Sequence, residues 1–271
     1  MCTACLMNEI KSNMLGRREL LLGAAAAGTV ASAAAAPTPV LAQGFNRIHD
    51  LTHVTTPDFP TFSGKKQYSL SPVLTWAKNK VNRNQIQIDE HTGTHIDAPF
   101  HFSEDGKTVE QIDINELVVN LCVVDIRAKA QDDADAQVTP EDLKEWIASN
   151  GDIPENSCVA MLSGWESRIG GDGYRNIGAD DKRHFPGFHV DAARMLMEES
   201  GTVGIAVDTL SLDHGASPDF ATHYAWLPSG RWGLECVANL ADMPSVGATM
   251  IAAAPKLEGA TGGPTRVLAL I

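Results

Sequence analysis

Cysteine is scarce. Of 5 in the chain, Cys2 and Cys5 stand near its start, leaving Cys122, Cys158 and Cys236, an odd number without C-x-x-C spacing. Each of the three sits in an apolar run such as Leu121-Cys122-Val123-Val124. They read as small buried hydrophobes, and no disulfide framework is supported. Positive charge is short as well, with 21 Lys and Arg against 34 Asp and Glu and a net charge of −13. That balance argues against nucleic acid or an anionic membrane as a partner. Beyond residue 42 no run is long and apolar enough to cross a bilayer, so no membrane is expected for the mature form. Gly170-Gly171-Asp172-Gly173 lacks a Walker lysine and reads as a surface loop. The H-E-x-x-H pattern is missing too, since Thr92 stands where its glutamate would be, which speaks against a zincin-type protease. There is no internal repeat.

The chain opens with a leader. Arg17 and Arg18 precede an alanine-rich apolar run from Leu20 to Ala36, Pro37 and Pro39 break it, and Val40-Leu41-Ala42 ends it. A charged start, an apolar middle and a small-residue end are the parts of a secretory signal. The paired arginines resemble a twin-arginine (Tat) signal. The run falls short of the roughly 20 residues a membrane span needs. The expectation is a Tat-type signal peptide over 1–42, the Tat export machinery as the precursor's partner, and a periplasmic or secreted mature protein of residues 43–271.

The remainder interleaves strands and helices, which makes the class mixed α/β. Gln85-Ile86-Gln87-Ile88 alternates, predicting a half-buried strand over 84–90. The apolar run 118–126 predicts a buried strand; residues 157–163, 203–210, 246–254 and 266–271 are strand-like, and 132–137 is a surface loop. Thr139-Pro140-Glu141-Asp142 combines a hydroxyl cap, a first-position proline and early acids, so a helix starts there and Gly151 stops it. A second helix covers 191–200.

The chemistry is concentrated between residues 91 and 101. His91, His95, Asp97 and His101 fall there, interleaved with Gly93 and Pro99. Imidazole and carboxylate are the donors that Zn²⁺, Mn²⁺ or Fe²⁺ prefers. A continuous helix would turn Asp97 away from the histidines, and a straight strand would spread the set over roughly 33 Å. A tight curl after the strand brings them together, with Gly93 free to take a positive φ and Pro99 ending any regular element.

The stretch His91-Thr-Gly-Thr-His95-Ile-Asp97-Ala-Pro-Phe-His101-Phe102 resembles the signature of the cyclase-like metal hydrolases, a family that includes bacterial kynurenine formamidases and isatin hydrolases. Asp50-Leu51-Thr52-His53 is similar to its opening segment and Leu162-Ser163-Gly164-Trp165 to a strand end, with Ser163 where threonine is expected. Gly204 to Asp213, with Asp208, Ser211 and Asp213, is similar to a third segment. His223 and Glu235, followed by Asn239-Leu240, are similar to a second ligand pair. The resemblance implies the swivelling β/β/α-type fold and a homodimer or larger homo-oligomer. It implies His91, His95 and Asp97 as metal ligands, with Asp97 bridging to a second site completed by His223 and Glu235, for one or two ions of Zn²⁺ or Mn²⁺. It also implies His101 as catalytic base or proton shuttle, with simple support of a ligand as the other reading.

The expected activity is hydrolysis of an amide C–N bond in a small cyclic amide or aryl formamide, by water activated on the metal and with His101 as acid and base. A lactonase or polyketide-type cyclase, and a non-catalytic periplasmic binder of metal or small ligand, are the alternatives. Trp76, Trp165, Phe102, Trp226 and Trp232 offer either an aromatic wall for a planar substrate or ordinary core packing. His53, His184, His189 and His214 read as structural, and Asp208 and Asp213 as anchors of loop amides.

Overall fold

The structure, a computed structural model, describes residues 44–171 and 173–271. The leader expected over 1–42 lies outside the described residues. The strands are β1 (Ile48–Asp50), β2 (Tyr68–Leu74), β3 (Arg83–Ile88), β4 (His95–Asp97), β5 (Val118–Asp125), β6 (Gln137–Val138), β7 (Ser157–Leu162), β8 (Gly187–Phe188), β9 (Thr202–Val207), β10 (Trp232–Glu235), β11 (Ala248–Ala253), β12 (Gly262–Pro264) and β13 (Arg266–Leu270). The helices are α1 (Trp76–Asn79), α2 (Arg127–Asp132), α3 (Pro140–Asn150), α4 (Val190–Glu199) and α5 (Ala221–Trp226).

Nine strands form one sheet in the order β1-β13-β11-β5-β7-β9-β10-β4-β12. Its middle, β5-β7-β9-β10, is parallel, and both wings are antiparallel. The class is mixed α/β, as expected. Alternate side chains of the central strands feed two cores. Leu121, Val123, Cys158 and Ala160 pack into one, and Cys122, Val124, Val159 and Met161 into the other, which α3 and α4 cover. Burial on both faces explains why β5 and β7 read as continuous apolar runs.

Local signals set the helix ends. Thr139 caps α3 in a reciprocal box with Asp142, Pro140 occupies its first turn, and Gly151 ends it at φ +89°. Two expectations need correction. Residues 132–137 are not wholly loop, because α2 ends and β6 begins there. The strand near 84–90 exists as β3, but it pairs with β2 alone and stands off the main sheet. Its alternation therefore leaves Ile86 exposed, with Leu70 exposed on β2. Among the described residues, no helix is long and apolar enough to cross a membrane.

Candidate metal centre

Strand register places the first donors. His95 and Asp97 are two apart on β4 and share a face, while Ile96 between them turns into the core. On the antiparallel neighbour β10, Glu235 stands opposite His95 and Gly233 opposite Asp97, so the Glu235 side chain joins the same face. On the other side, β12 sets Gly262 opposite Asp97. A side chain at Gly262 would collide with the Ile96 carbonyl and come within 3.0 Å of His91 Cε1, so glycine here makes room for His91.

The remaining candidates arrive from turns and a helix. His91 precedes a turn made by Gly93 at φ +71°, where Thr55 fills the space a side chain would need. His91 Nδ1 lies 2.7 Å from Asp97 Oδ1 and its Nε2 lies 2.9 Å from Thr261 Oγ1. Thr261 donates its hydroxyl to Glu90. His101, on the 3₁₀ turn Pro99–Phe102, stacks on His91 with ring centroids 3.9 Å apart. His223 rises from α5, and its Nδ1 donates to Asp213 Oδ2 at 2.6 Å. The same carboxylate accepts the backbone N–H of Thr222 and of His223. The expected curl is thus partly regular, a turn leading into a three-residue strand and then a 3₁₀ turn.

The donor set fits a divalent cation. His95 Nδ1 lies 2.8 Å from the Gly93 carbonyl, which can only accept, so in the neutral ring Nε2 carries a lone pair. That lone pair faces Asp97 Oδ1 and Glu235 Oε2, each 3.4 Å away. His223 Nε2 faces Asp97 Oδ2 at 3.5 Å and Glu235 Oε1 at 3.2 Å. His95 Nε2 and Asp97 Oδ2 are buried without a hydrogen-bond partner. Two imidazole nitrogens and two carboxylates in such proximity need positive charge among them. Proton affinities show the same pull. Burial disfavours a charged ring at His95, yet Asp97 and Glu235 outweigh it and push it up to about 9. Burial also opposes the charge on Asp97, but the imidazoles of His223, His91 and His95 beside it hold it well below the usual carboxylate range. Burial, then the nearby Asp97 charge, raises Glu235. His101 differs. Burial lowers it to about 4, with the other imidazoles adding to the effect and Asp97 opposing it, so it is neutral at pH 7.

A cavity of about 310 Å³ opens over this cluster, with Phe62, Phe102 and Phe220 among its walls. Phe102 is therefore where the aromatic wall was expected. Trp76 and Trp165 are not, which corrects that expectation. Trp76 is exposed on α1, carried off the sheet beside the β2–β3 ribbon. Trp165 is core, its indole N–H donating to the Tyr174 carbonyl. Trp226 and Trp232 are fully buried as well. Phe62 and Phe220 went unread because nothing in their local sequence marks a pocket. Thr261 also went unread, although Gly262-Gly263 after it signals close backbone approach. Asp208 anchors loop amides as expected, accepting the N–H groups of Ser163, Gly164 and Trp165 and the Ser163 hydroxyl. Ser163 thus keeps the contact a threonine hydroxyl would make. Asp213 anchors amides and holds the His223 ring besides.

The histidines and carboxylates gathered on β4, β10 and their neighbours, under an aromatic pocket, form a cluster that could hold a metal ion. A family described as putative cyclase matches residues 49–214. The chain is 33% identical over 198 residues to the isatin hydrolase of Roseibium aggregatum, covering 69% of this chain and 74% of that one. It is 36% identical over 80 residues to the kynurenine formamidase of Bacillus mycoides, covering 28% of this chain and 37% of that relative. Isatin hydrolase A from Labrenzia aggregata, solved bound to benzyl benzoate, superposes with a TM-score of 0.78 at 34% identity, over 83% of this chain and 93% of that one. The chain belongs to the cyclase family of hydrolases and has its fold.

Proposed function

We propose that this protein is a metal-dependent hydrolase that cleaves an amide C–N bond in a small cyclic amide or aryl formamide. The observation that carries the reading is the meeting of His95, Asp97, His223 and Glu235 beneath a pocket walled by Phe62, Phe102 and Phe220. The isatin hydrolase and kynurenine formamidase relatives support the choice of bond.

His91, His95 and Asp97, with His223 and Glu235 completing the cluster, would hold one or two ions of Zn²⁺ or Mn²⁺. When bound, such an ion supplies Lewis acidity that polarises a carbonyl and lowers the pKa of water. The chain's own residues do the rest. Asp213 fixes the His223 ring and Gly93 the His95 ring, so both Nε2 atoms stay aimed inward. The phenylalanines take a planar substrate and exclude water from its faces. Neutral His101 accepts a proton from the attacking water at a ring nitrogen and returns it to the leaving nitrogen, a role worth about 10²- to 10⁴-fold.

A ring nitrogen of His101 also lies within 4.8 Å of donor atoms of His91 and Asp97, which favours a second reading of His101 as ligand. His101→Ala separates the two. A shuttle leaves metal content intact and lowers turnover at least about tenfold; a ligand takes the metal with it. The function itself is tested by elemental analysis of the purified protein and assay on isatin and N-formylkynurenine. Bound divalent metal with turnover of either amide supports it, and metal without amide hydrolysis overturns it in favour of a binder.

Two expectations stand as part of the proposal. Leu70, Val73, Trp76, Val81 and Ile86 expose apolar surface on and around the β2–β3 ribbon, which supports assembly into a homodimer or larger homo-oligomer. Export through the Tat route rests on Arg17 and Arg18. Replacing both with lysine should retain the precursor inside the cell, and unchanged export would overturn it.

A further inference from the structure

Three imidazoles at the centre are gripped at one nitrogen and offer the other. His95 Nδ1 lies 2.8 Å from the Gly93 carbonyl and His223 Nδ1 lies 2.6 Å from Asp213, so both rings turn Nε2 inward. His91 is reversed. Its Nε2 meets Thr261 Oγ1 at 2.9 Å, and its Nδ1 lies 2.7 Å from Asp97 Oδ1. Gly262 permits this pose. A side chain there would begin 3.0 Å from His91 Cε1, the carbon that joins the two nitrogens, so the ring lies close along β12.

Thr261 is locked in place. Its backbone N–H donates to Glu90 Oε2 at 3.0 Å, its carbonyl accepts the Ala98 N–H at 2.9 Å, and its hydroxyl donates to the same Glu90 oxygen. A hydroxyl has one proton to give, and a carboxylate only accepts. The Thr261 proton is therefore committed to Glu90, and toward His91 its oxygen can only accept. Nε2 must be the protonated nitrogen of His91, which leaves the lone pair of the neutral ring on Nδ1. That lone pair faces Asp97 Oδ1, and the lone pair of His95 Nε2 faces the same oxygen at 3.4 Å. Three acceptors converge with no proton among them, and a cation satisfies all three.

We infer that Glu90 and Thr261 are positioning residues for His91: the carboxylate sets the direction of the hydroxyl, the hydroxyl sets the tautomer of the ring, and His91 offers the metal Nδ1 where His95 and His223 offer Nε2. The nitrogen nearer the backbone suits a residue that enters from a turn close beside β4, since it shortens the reach to Asp97. An outer partner that orients a ligating imidazole and holds its tautomer is typically worth about 10- to 100-fold in metal affinity. The inference deepens the metal-centre part of the hydrolase reading and rests on it.

The test uses the full chain and Zn²⁺, with affinity read by chelator competition and the ring nitrogens read by long-range ¹H–¹⁵N correlation of the zinc-loaded protein carrying ¹⁵N-histidine. His91 is assigned by its absence in His91→Asn. Wild type should show His91 bound through Nδ1 and protonated at Nε2. Thr261→Val, which keeps shape and loses the hydroxyl, should weaken zinc about 10- to 100-fold, and Thr261→Ser should restore affinity to within about threefold. Glu90→Leu frees the hydroxyl to turn toward His91 and should weaken zinc about tenfold, while Glu90→Gln, which keeps an acceptor, should recover most of that loss. Glu90 is half-buried, so this pair serves if the Thr261→Val protein fails to fold. His91 bound through Nε2 overturns the inference, as does zinc affinity that is unchanged in both Thr261→Val and Glu90→Leu or that falls equally with Thr261→Val and Thr261→Ser. None of these readings needs turnover. The expected zinc pattern in a protein that cleaves no amide supports the positioning role and overturns the hydrolytic reading alone, whereas amide hydrolysis with zinc indifferent to both residues overturns the positioning role alone.

Discussion

The donors divide into two sets that are held in different ways. His95, Asp97 and Glu235 are fixed by the register of β4 and β10, where backbone hydrogen bonds set each side chain's face. His91, His101 and His223 come from turns and a short helix, and side-chain contacts aim them. Register tolerates no compromise, because a one-residue slip turns a donor into the core. Side-chain anchoring is graded, so losing one contact loosens a ring without removing it. Damage to the strand set should therefore be severe, and damage to the anchored set partial.

The largest effect is expected at Asp97, which faces the imidazoles of His91, His95 and His223. Asp97→Asn keeps shape but removes charge, and kcat/KM should fall at least about a thousandfold, the several kcal/mol that a bound metal contributes. A steady-state assay that finds a loss no greater than at His223's anchor would erase the contrast. At that anchor, Asp213→Asn should weaken metal affinity by roughly 10- to 100-fold while the protein still folds. Competition with a chelator measures it. Gly262→Ala probes the join between the sets, since its methyl group would press on the Ile96 carbonyl and His91. A loss of about 1–3 kcal/mol is expected for such crowding, read from denaturant unfolding.

The smallest effect lies far from the centre. His184 bridges Asp135 at 2.5 Å and Asp180 at 3.0 Å, and these contacts raise its pKa above the ordinary 6.5. A raised histidine stabilises fully below 6.5 and loses that contribution as pH climbs through the folded-state value. Thermal stability should therefore slip from neutral to mildly alkaline pH, and His184→Gln should flatten that slope. An unchanged slope would remove the bridge from the account.

What could be read in advance follows the same division. Local chemistry showed through. The hydroxyl, proline and acids of 139–142 marked the start of α3, the apolar run 118–126 marked β5, and the spacing of His91, His95 and Asp97 marked side chains that the fold brings together. Asn84 to Glu90 misled, because alternation reports a two-faced strand and says nothing of which sheet, if any, covers one face. Trp76 and Trp165 misled similarly, since an aromatic ring signals burial or binding alike. Phe62, Phe220 and Thr261 reach the site from loops far apart in the chain, and only tertiary packing brings them there. The His223 anchor was half legible, as Asp213 was expected to hold amides and holds the ring too.

Anomalous diffraction from crystals soaked in Mn²⁺ or Zn²⁺ tests the central claim most directly. The account predicts a peak bonded to His95 Nε2, Asp97 and at least one further member of the cluster, beneath the phenylalanine walls. A peak elsewhere, or none at those atoms in a protein that still hydrolyses amides, would contradict it.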